Sequence, residues 1–293
     1  MRGLETIGAV HQTEVVSRDV WHHRLGHPSS HVLDLLSIYG VSKNNVLKNK
    51  TCEICIRAKQ TRCSFPTSSN NTTDLFDLIH YDLWGPYRTM SHCGARYFLT
   101  IIDDCSRSVL LYLLPTKQEV ARTIRDFLAL VERQFQKHVK TVRSDNGTEF
   151  MCLSSFFREK GILHETSCVH TPQQNGRVER KHRHILNVAR ALRFQSSLPL
   201  EFWGECILTA AYLINRTPTP LLKGKTPFDI LYGRAPPLQH LRVFGSLCYA
   251  HNKDHRGDKF ASRSIKCVFT FSIYWPCSLY HRSYCDCDQT NTL

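Results

Sequence analysis

Between residues 78 and 215 the hydrophobic pattern changes period in a fixed order, and that order restricts the folds open to this chain. Leu78–Trp84, 97–102 and Val109–Leu114 are β-branched and aromatic runs that read as strands, the last two joined by a turn at 103–107. Val120, Ile124, Phe127, Leu128, Val131 and Phe135 then recur at helical spacing, which predicts an amphipathic helix over 117–136. A strand over 139–143 follows, then a short helix over 153–160 closed by Gly161, and a short strand over 162–165. Residues 171–176 form a polar loop. Val178, Ile185, Ala189 and Leu192 mark one stripe of a long helix, and 199–215 is a further, largely buried helix. Three consecutive strands followed by alternating helix and strand predict an α/β domain, a mixed sheet with helices packed on it.

The rest of the chain is divided by its turn formers. A polar run at 66–73 reads as a linker, and Pro-rich breaks fall at 217–220 and 235–237. The 293 residues are ample for a core. No apolar stretch approaches a membrane span, and the N-terminus lacks the apolar core of a signal peptide, so the expectation is an intracellular protein, nuclear or cytoplasmic, with no membrane partner. In that setting thirteen cysteines point to metal ligation or burial before disulfides, and the Asn-x-Thr triplets at Asn71, Asn146 and Asn215 are chance matches. Thirty-eight Lys and Arg against 25 Asp and Glu give a formal charge of +13, which favours a polyanionic partner such as nucleic acid.

Ahead of the linker, Trp21-His22-His23-Arg24-Leu25-Gly26-His27 is followed by Cys52-Glu53-Ile54-Cys55. Two imidazoles and two thiolates suit tetrahedral Zn2+, which has no d-electron preference and accepts an N2S2 set. In a unit of about 50 residues a metal often stands in for a large core. Spacing leaves His22 and His23 both open; His22 is preferred because a His-x4-His spacing sets both rings on one helical face. Arg57 and Lys59 are expected to favour the thiolates, and Cys63 is surplus once His22, His27, Cys52 and Cys55 complete the set.

Three carboxylates stand out by context. Asp82 lies near the end of the first strand, Asp145 follows the strand after the long helix, and Glu179 sits in the first turn of the second long helix. Neighbouring strands and a helix start could bring them to one edge, where they would make a hard oxygen site for Mg2+ or Mn2+. Asp103 and Asp104 sit in a turn and read as structural, and Glu149 lies off this pattern.

The strings Trp-His-His-Arg-Leu-Gly-His-Pro, Cys-Glu-Ile-Cys-Ile-Arg-Ala-Lys-Gln, Asp-Leu-Trp-Gly-Pro, Arg-Ser-Asp-Asn-Gly-Thr-Glu-Phe and Thr-Pro-Gln-Gln-Asn-Gly-Arg-Val-Glu-Arg-Lys, in that order, closely resemble the integrase of Copia-type LTR retrotransposons. The resemblance runs from about Trp21 to Phe269. It implies a pre-integrase His2Cys2 zinc segment, then an RNase H-like core in which Asp82, Asp145 and Glu179 are the catalytic acids. It also implies Mg2+-dependent processing of element DNA 3′ ends, strand transfer into target DNA, and assembly with further copies of the chain. The expected division is a non-family extension (1–14), zinc-binding domain (15–66), linker (67–74), catalytic core (75–216), post-core segment (217–269) and an aberrant tail (270–293).

Three departures are visible. Asp145 and Glu179 enclose 33 residues (146–178), somewhat fewer than is usual in the family. His170 stands where a Tyr is common. The resemblance stops at Phe269, and residues 270–293 match none of it, which fits a change of reading frame or a mispredicted exon in a fragment of a polyprotein.

The Glu179 helix also carries Arg177, Arg180, Lys181, Arg183, Arg190 and Arg193, with His182 and His184, a footprint for DNA phosphates. Gln173, Gln174 and Asn175 in the preceding loop are candidate contacts to DNA ends. Two other readings compete: an RNase H-like nuclease, and a catalytically inactive, zinc-stabilised nucleic-acid-binding remnant.

Overall fold

The computed structural model describes residues 17–36, 52–59, 72–166, 176–252, 259–260 and 262–270. Five strands build the central sheet: β1 (Leu78–Trp84), β2 (Tyr97–Asp103), β3 (Val109–Leu114), β4 (Thr141–Ser144) and β5 (Leu163–Thr166). Their spatial order is β3-β2-β1-β4-β5. β1 pairs antiparallel with β2 and β2 with β3, whereas β1–β4 and β4–β5 are parallel. The parallel pairs need crossovers, and α4 (Glu119–Phe135) supplies the first, with α5 (Thr148–Met151) and α6 (Ser154–Glu159) in the second.

The two-residue period of the strands sorts their side chains between two cores. Ile79, Tyr81, Leu99, Ile101, Leu110 and Val142 point to one face and meet α4, α5 and α6 through Val120, Ile124, Phe127, Phe150 and Phe157. Five buried apolar side chains on α4 are worth about 10 kcal/mol of gross transfer free energy. Phe98, Ile102 and Val109 point to the opposite face, where α7 (Gly176–Ser196) and α8 (Trp203–Asn215) cover them. That second core also takes in Leu25, Leu33 and Leu36 from the N-terminal unit, α1 (Arg18–Arg24) and α2 (Ser30–Leu35). Beyond α8 lie α9 (Pro227–Tyr232), held by a Thr226/Asp229 capping box, and a hairpin of β6 (Leu247–His251) and β7 (Ser264–Val268).

The elements differ from the sequence reading at identifiable points. α4 ends one residue early because Gln136 turns left-handed, with φ 53°. The helix expected over 153–160 is α6, and a further short helix, α5, precedes it where no helix is expected. The helix expected from residue 199 opens as one 3-10 turn, Leu200–Phe202, before α8 begins. Asn215, which reads as a chance triplet, is buried: its amide accepts from the Val109 N–H (2.8 Å) and donates to the Val109 carbonyl (2.7 Å), capping edge strand β3.

Candidate active site and metal centre

Strand register brings the first two candidate acids together. β1 and β4 pair in parallel as Ile79 with Val142 and His80 with Arg143. Two residues beyond that last pair stand Asp82, still within β1, and Asp145, the first residue past the end of β4. Ile79 enters the α4 core, so by alternation Asp82 faces the α7 side, and Asp145 is near enough for its charge to act on the Asp82 carboxyl. Asp82 pairs across β2 with Thr100 on that face. Glu179, exposed, rides the first turn of α7, which packs on β1 and β2.

The electrostatics record this crowding. Burial lifts the Asp82 carboxyl to about 7, and the negative charges of Asp145, Glu179 and Glu149 push in the same direction, opposed by a hydrogen bond from the Leu83 backbone. Glu149, which lies off the expected acidic pattern, belongs to the same acidic field while also pairing with Lys117 at 3.3 Å.

His182 was visible in the sequence only as one of the basic helix residues. It lies one turn after Glu179 and is buried between α7 and the sheet. Burial holds it neutral, at about 4. Its Nε2 accepts from the Thr100 hydroxyl at 2.6 Å, and its Nδ1–H donates to Asp82 Oδ2 at 3.2 Å. The i, i+3 spacing from Glu179 was the available signal, since it sets both residues on one helix side.

Asp103 and Asp104 do hold the turn. Asp103 accepts from the Phe76 and Ser106 amides (both 2.8 Å) and the Ser106 hydroxyl. Asp104, 1% exposed, takes hydrogen bonds from His80 (3.0 Å), Arg107 (3.3 Å), Arg177 and the Thr72 amide (3.1 Å). Burial pushes its carboxyl up, but these partners outweigh it and hold it well below the usual carboxylate range. This corrects the expectation for Arg177. Its side chain is 15% exposed and spent on Asp104, so it anchors the start of α7 where a DNA contact had been expected. Arg180, Arg183 and Arg190 are exposed along the same helix, whereas Lys181 is half-buried and burial lowers its ammonium to about 8. Gln173, Gln174 and Asn175 lie outside the described residues.

In the N-terminal unit, one ligand atom each from His22, His27, Cys52 and Cys55 lies within 4.8 Å of the others. α1 carries His22, and α3 (Glu53–Lys59) carries Cys55 with Cys52 just before it. The helical-face argument for His22 does not hold. α1 ends at Arg24, and Gly26 and His27 are both left-handed (φ 68° and 64°), which swings His27 back over His22. His23 instead turns its Nδ1 to the Asp19 carbonyl at 2.7 Å.

The hydrogen bonds decide which nitrogens are bare. The Pro28 carbonyl can only accept, so His22 Nδ1 donates to it (2.9 Å) and His22 Nε2 keeps its lone pair. His27 Nε2 meets Gln195 Oε1 at 2.7 Å, leaving Nδ1 bare. Those two lone pairs face each other at 3.0 Å, with Cys52 Sγ 3.4 Å from His27 Nδ1 and Cys55 Sγ 3.3 Å from His22 Nε2. Tetrahedral Zn–N and Zn–S bonds set ligand atoms about 3.3–3.8 Å apart, close to this spacing. Burial, with help from neighbouring cations, lowers His22 to about 4 and His27 to about 3, so no proton sits between the rings at neutral pH and a cation is the natural occupant. The expected help to the thiolates from Arg57 and Lys59 is outweighed. Burial pushes the Cys55 thiol up to about 11 against Lys59, and Arg57 is drawn to Glu53 (3.6 Å) and over the Phe194 ring. A bound cation would reverse that penalty.

A five-stranded sheet in the order 3-2-1-4-5 with its second strand antiparallel and helices on both faces is a mixed α/β, RNase H-like fold. Residues 73–172 match the integrase core domain family, and residues 8–60 match the GAG-pre-integrase domain family. The chain thus carries a GAG-pre-integrase domain followed by an integrase core domain, and the curated proteins it resembles are retrovirus-related Pol polyproteins from plant transposons. It is 38% identical over 259 residues to the retrovirus-related Pol polyprotein from transposon TNT 1-94 of Nicotiana tabacum, covering 87% of this chain and 19% of that protein. It is 39% identical over 251 residues to the corresponding polyprotein from transposon RE1 of Arabidopsis thaliana, covering 85% and 17%. The chain therefore spans less than a fifth of the length of these relatives. Among solved structures it is similar to the catalytic core domain of BIV integrase (TM-score 0.40, 21% identity, 54% of this chain and 95% of that one). It is also similar to the HTLV-2 integrase catalytic core domain in complex with magnesium (TM-score 0.40, 19% identity, 54% and 97%). Among the described residues no helix is long and apolar enough to cross a membrane.

Proposed function

We propose that this chain carries out divalent-metal-dependent processing of element DNA 3′ ends and their strand transfer into target DNA, with Asp82, Asp145 and Glu179 holding Mg2+ or Mn2+. The placement of Asp82 on β1 beside Asp145, just past the end of the adjoining β4, carries this reading. The donor set fits a hard cation: burial, with the added repulsion of Asp145, Glu179 and Glu149, raises Asp82 to about 7, and a divalent ion would offset both. When bound, such ions would activate the attacking oxygen and stabilise the leaving one.

The protein's own residues position the reactants. Asp82 sits within β1 and Asp145 directly follows β4, and His182, itself held by the Thr100 hydroxyl, donates to one Asp82 oxygen. In processing, a water oxygen bonds to phosphorus and the 3′ oxygen of the trimmed strand's end leaves with the electron pair. In strand transfer, that freed 3′ hydroxyl oxygen bonds to a target phosphorus and the target's own 3′ oxygen leaves. Each step makes and breaks one P–O bond, so no external energy is needed. Arg180 and Arg183, exposed beside Glu179, contact phosphates, with Lys181 behind them and Gln173, Gln174 and Asn175 at the DNA ends.

In the same reading His22, His27, Cys52 and Cys55 bind a structural Zn2+, residues 15–66 form the zinc-binding domain, and residues 75–216 form the core. Further copies of the chain assemble on the DNA, and the work is done in the nucleus or cytoplasm. The test is joining of short blunt duplexes to plasmid with Mg2+ or Mn2+. Joined products from the wild type, lost in Asp145→Asn, support the proposal. Cleavage without joining would make the chain a nuclease, and DNA binding with neither product would make it an inactive remnant.

A further inference from the structure

The metal unit is wedged onto the core, and the contact runs through one of its ligands. His27 is fully buried, and its Nε2 lies 2.7 Å from Oε1 of Gln195, 168 positions later, near the end of α7. The other end of the Gln195 amide is fixed independently: Nε2 donates to the Phe244 carbonyl at 3.1 Å. A carbonyl can only accept, so the amide has one orientation, with its oxygen toward His27. An amide oxygen can only accept in turn, so His27 must carry its hydrogen on Nε2 and present Nδ1 to Cys52. The surroundings leave the junction little room. A Cβ on Gly26 would come within 2.8 Å of Val188 Cγ1 on α7 and 3.1 Å of Leu213 Cδ1 on α8, and Arg57 stacks on Phe194 beside Gln195.

We propose that Gln195, supplied by the catalytic-core helix, is the positioning residue that selects the metal-binding nitrogen of His27, so that the His2Cys2 site reaches full affinity only when the N-terminal unit is docked on α7. This rests on the reading of those four residues as zinc ligands. Metal-bound histidines characteristically donate their second nitrogen to an acceptor, and loss of that acceptor typically weakens binding 10–100-fold. The consequence is reciprocal: zinc in the N-terminal unit braces one end of the helix whose first turn carries Glu179.

The test measures Zn2+ affinity of the whole chain by competition with a chelator of known strength. Gln195→Met keeps the bulk but removes both bonds, and it should weaken zinc about 10–100-fold. Gln195→Glu keeps the acceptor for His27 and loses the donor to Phe244, and it should stay within about threefold of wild type, since only the bond to His27 is held to matter. Nitrogen-15 shifts of the His27 ring in the metal-free protein should report hydrogen on Nε2 in the wild type and a mixture of tautomers in Gln195→Met, a readout that does not depend on altered stability. Equal affinity of Gln195→Met and wild type, or equal losses in Met and Glu variants, would overturn the role of Gln195 while leaving the ligand set standing, provided that the wild type binds one zinc and Cys52→Ser abolishes it. A wild type that binds no zinc would overturn both.

Discussion

Replacing Asp104 with Asn removes one charge from the most heavily bonded carboxylate of the site region without changing its shape. Asp104 is 1% exposed and neutralises Arg177, which is 15% exposed, and Arg107, which is 19% exposed. Breaking a buried ion pair by removing one partner costs about 3–5 kcal/mol, and Asn retains an oxygen for the Thr72 amide, so the lower end applies, about 3 kcal/mol. For a domain of this size that lowers the melting temperature by about 6–12 °C. The assay is thermal and urea unfolding of the wild type, Asp104→Asn, Arg177→Gln and the double variant, with a coupling energy above about 1 kcal/mol between the two positions. The pH dependence has a definite sign. The folded-state pKa of Asp104 is depressed, so its contribution is complete above its unfolded value near 4 and is lost as pH falls through the folded value. The gap between wild type and Asp104→Asn should therefore be constant from about pH 5 to 7 and close below about pH 4. A gap under about 1 kcal/mol at pH 7, or one that widens in acid, would refute the reasoning.

The other predictions concern DNA, metal and packing. Arg180→Ala with Arg183→Ala should flatten the salt dependence of DNA affinity by a slope of about 2, read by fluorescence anisotropy, while Arg177→Gln leaves it unchanged because that side chain is committed to Asp104. Stripping zinc with a strong chelator should remove about 2.7 kcal/mol of stability from protein held at a hundredfold excess over its dissociation constant, seen as a lower melting temperature that Cys52→Ser reproduces. Gly26→Ala places a Cβ 2.8 Å from Val188 at a left-handed residue and should cost about 1–3 kcal/mol in urea unfolding; a wild-type midpoint would mean that the junction with α7 is loose.

Much of this architecture is written in local periodicity. β1 and β3 fall on the residues that alternation marks, and the apolar stripe of α4 is the face it buries. Asp82 on β1 and Asp145 at the exit of β4 come together only because β1 and β4 are neighbours, and that adjacency is a property of the crossover and has no local signal. α5 was hidden because it is a single turn of four residues with one buried side chain, Phe150, too short to show a helical period. Side chains that act across long separations were the least legible. Arg177 reaches Asp104 over 73 positions and His182 reaches Thr100 over 82, and in a sequence both look like members of a basic helix face. The reason His27 meets His22 was only partly legible, since the left-handed residues that fold it back begin at a glycine whose neighbours on α7 and α8 come from the far end of the core.

The central claim is that three acids distant in sequence hold divalent ions at one seam of the sheet. The most direct measurement is an anomalous difference map from crystals of the protein equilibrated with Mn2+. The account predicts manganese peaks bounded by the carboxylates of Asp82 and Asp145, with Glu179 at their edge, and their disappearance in Asp145→Asn. Manganese bound elsewhere, with the Asp82–Asp145 seam empty at saturating metal, would contradict it.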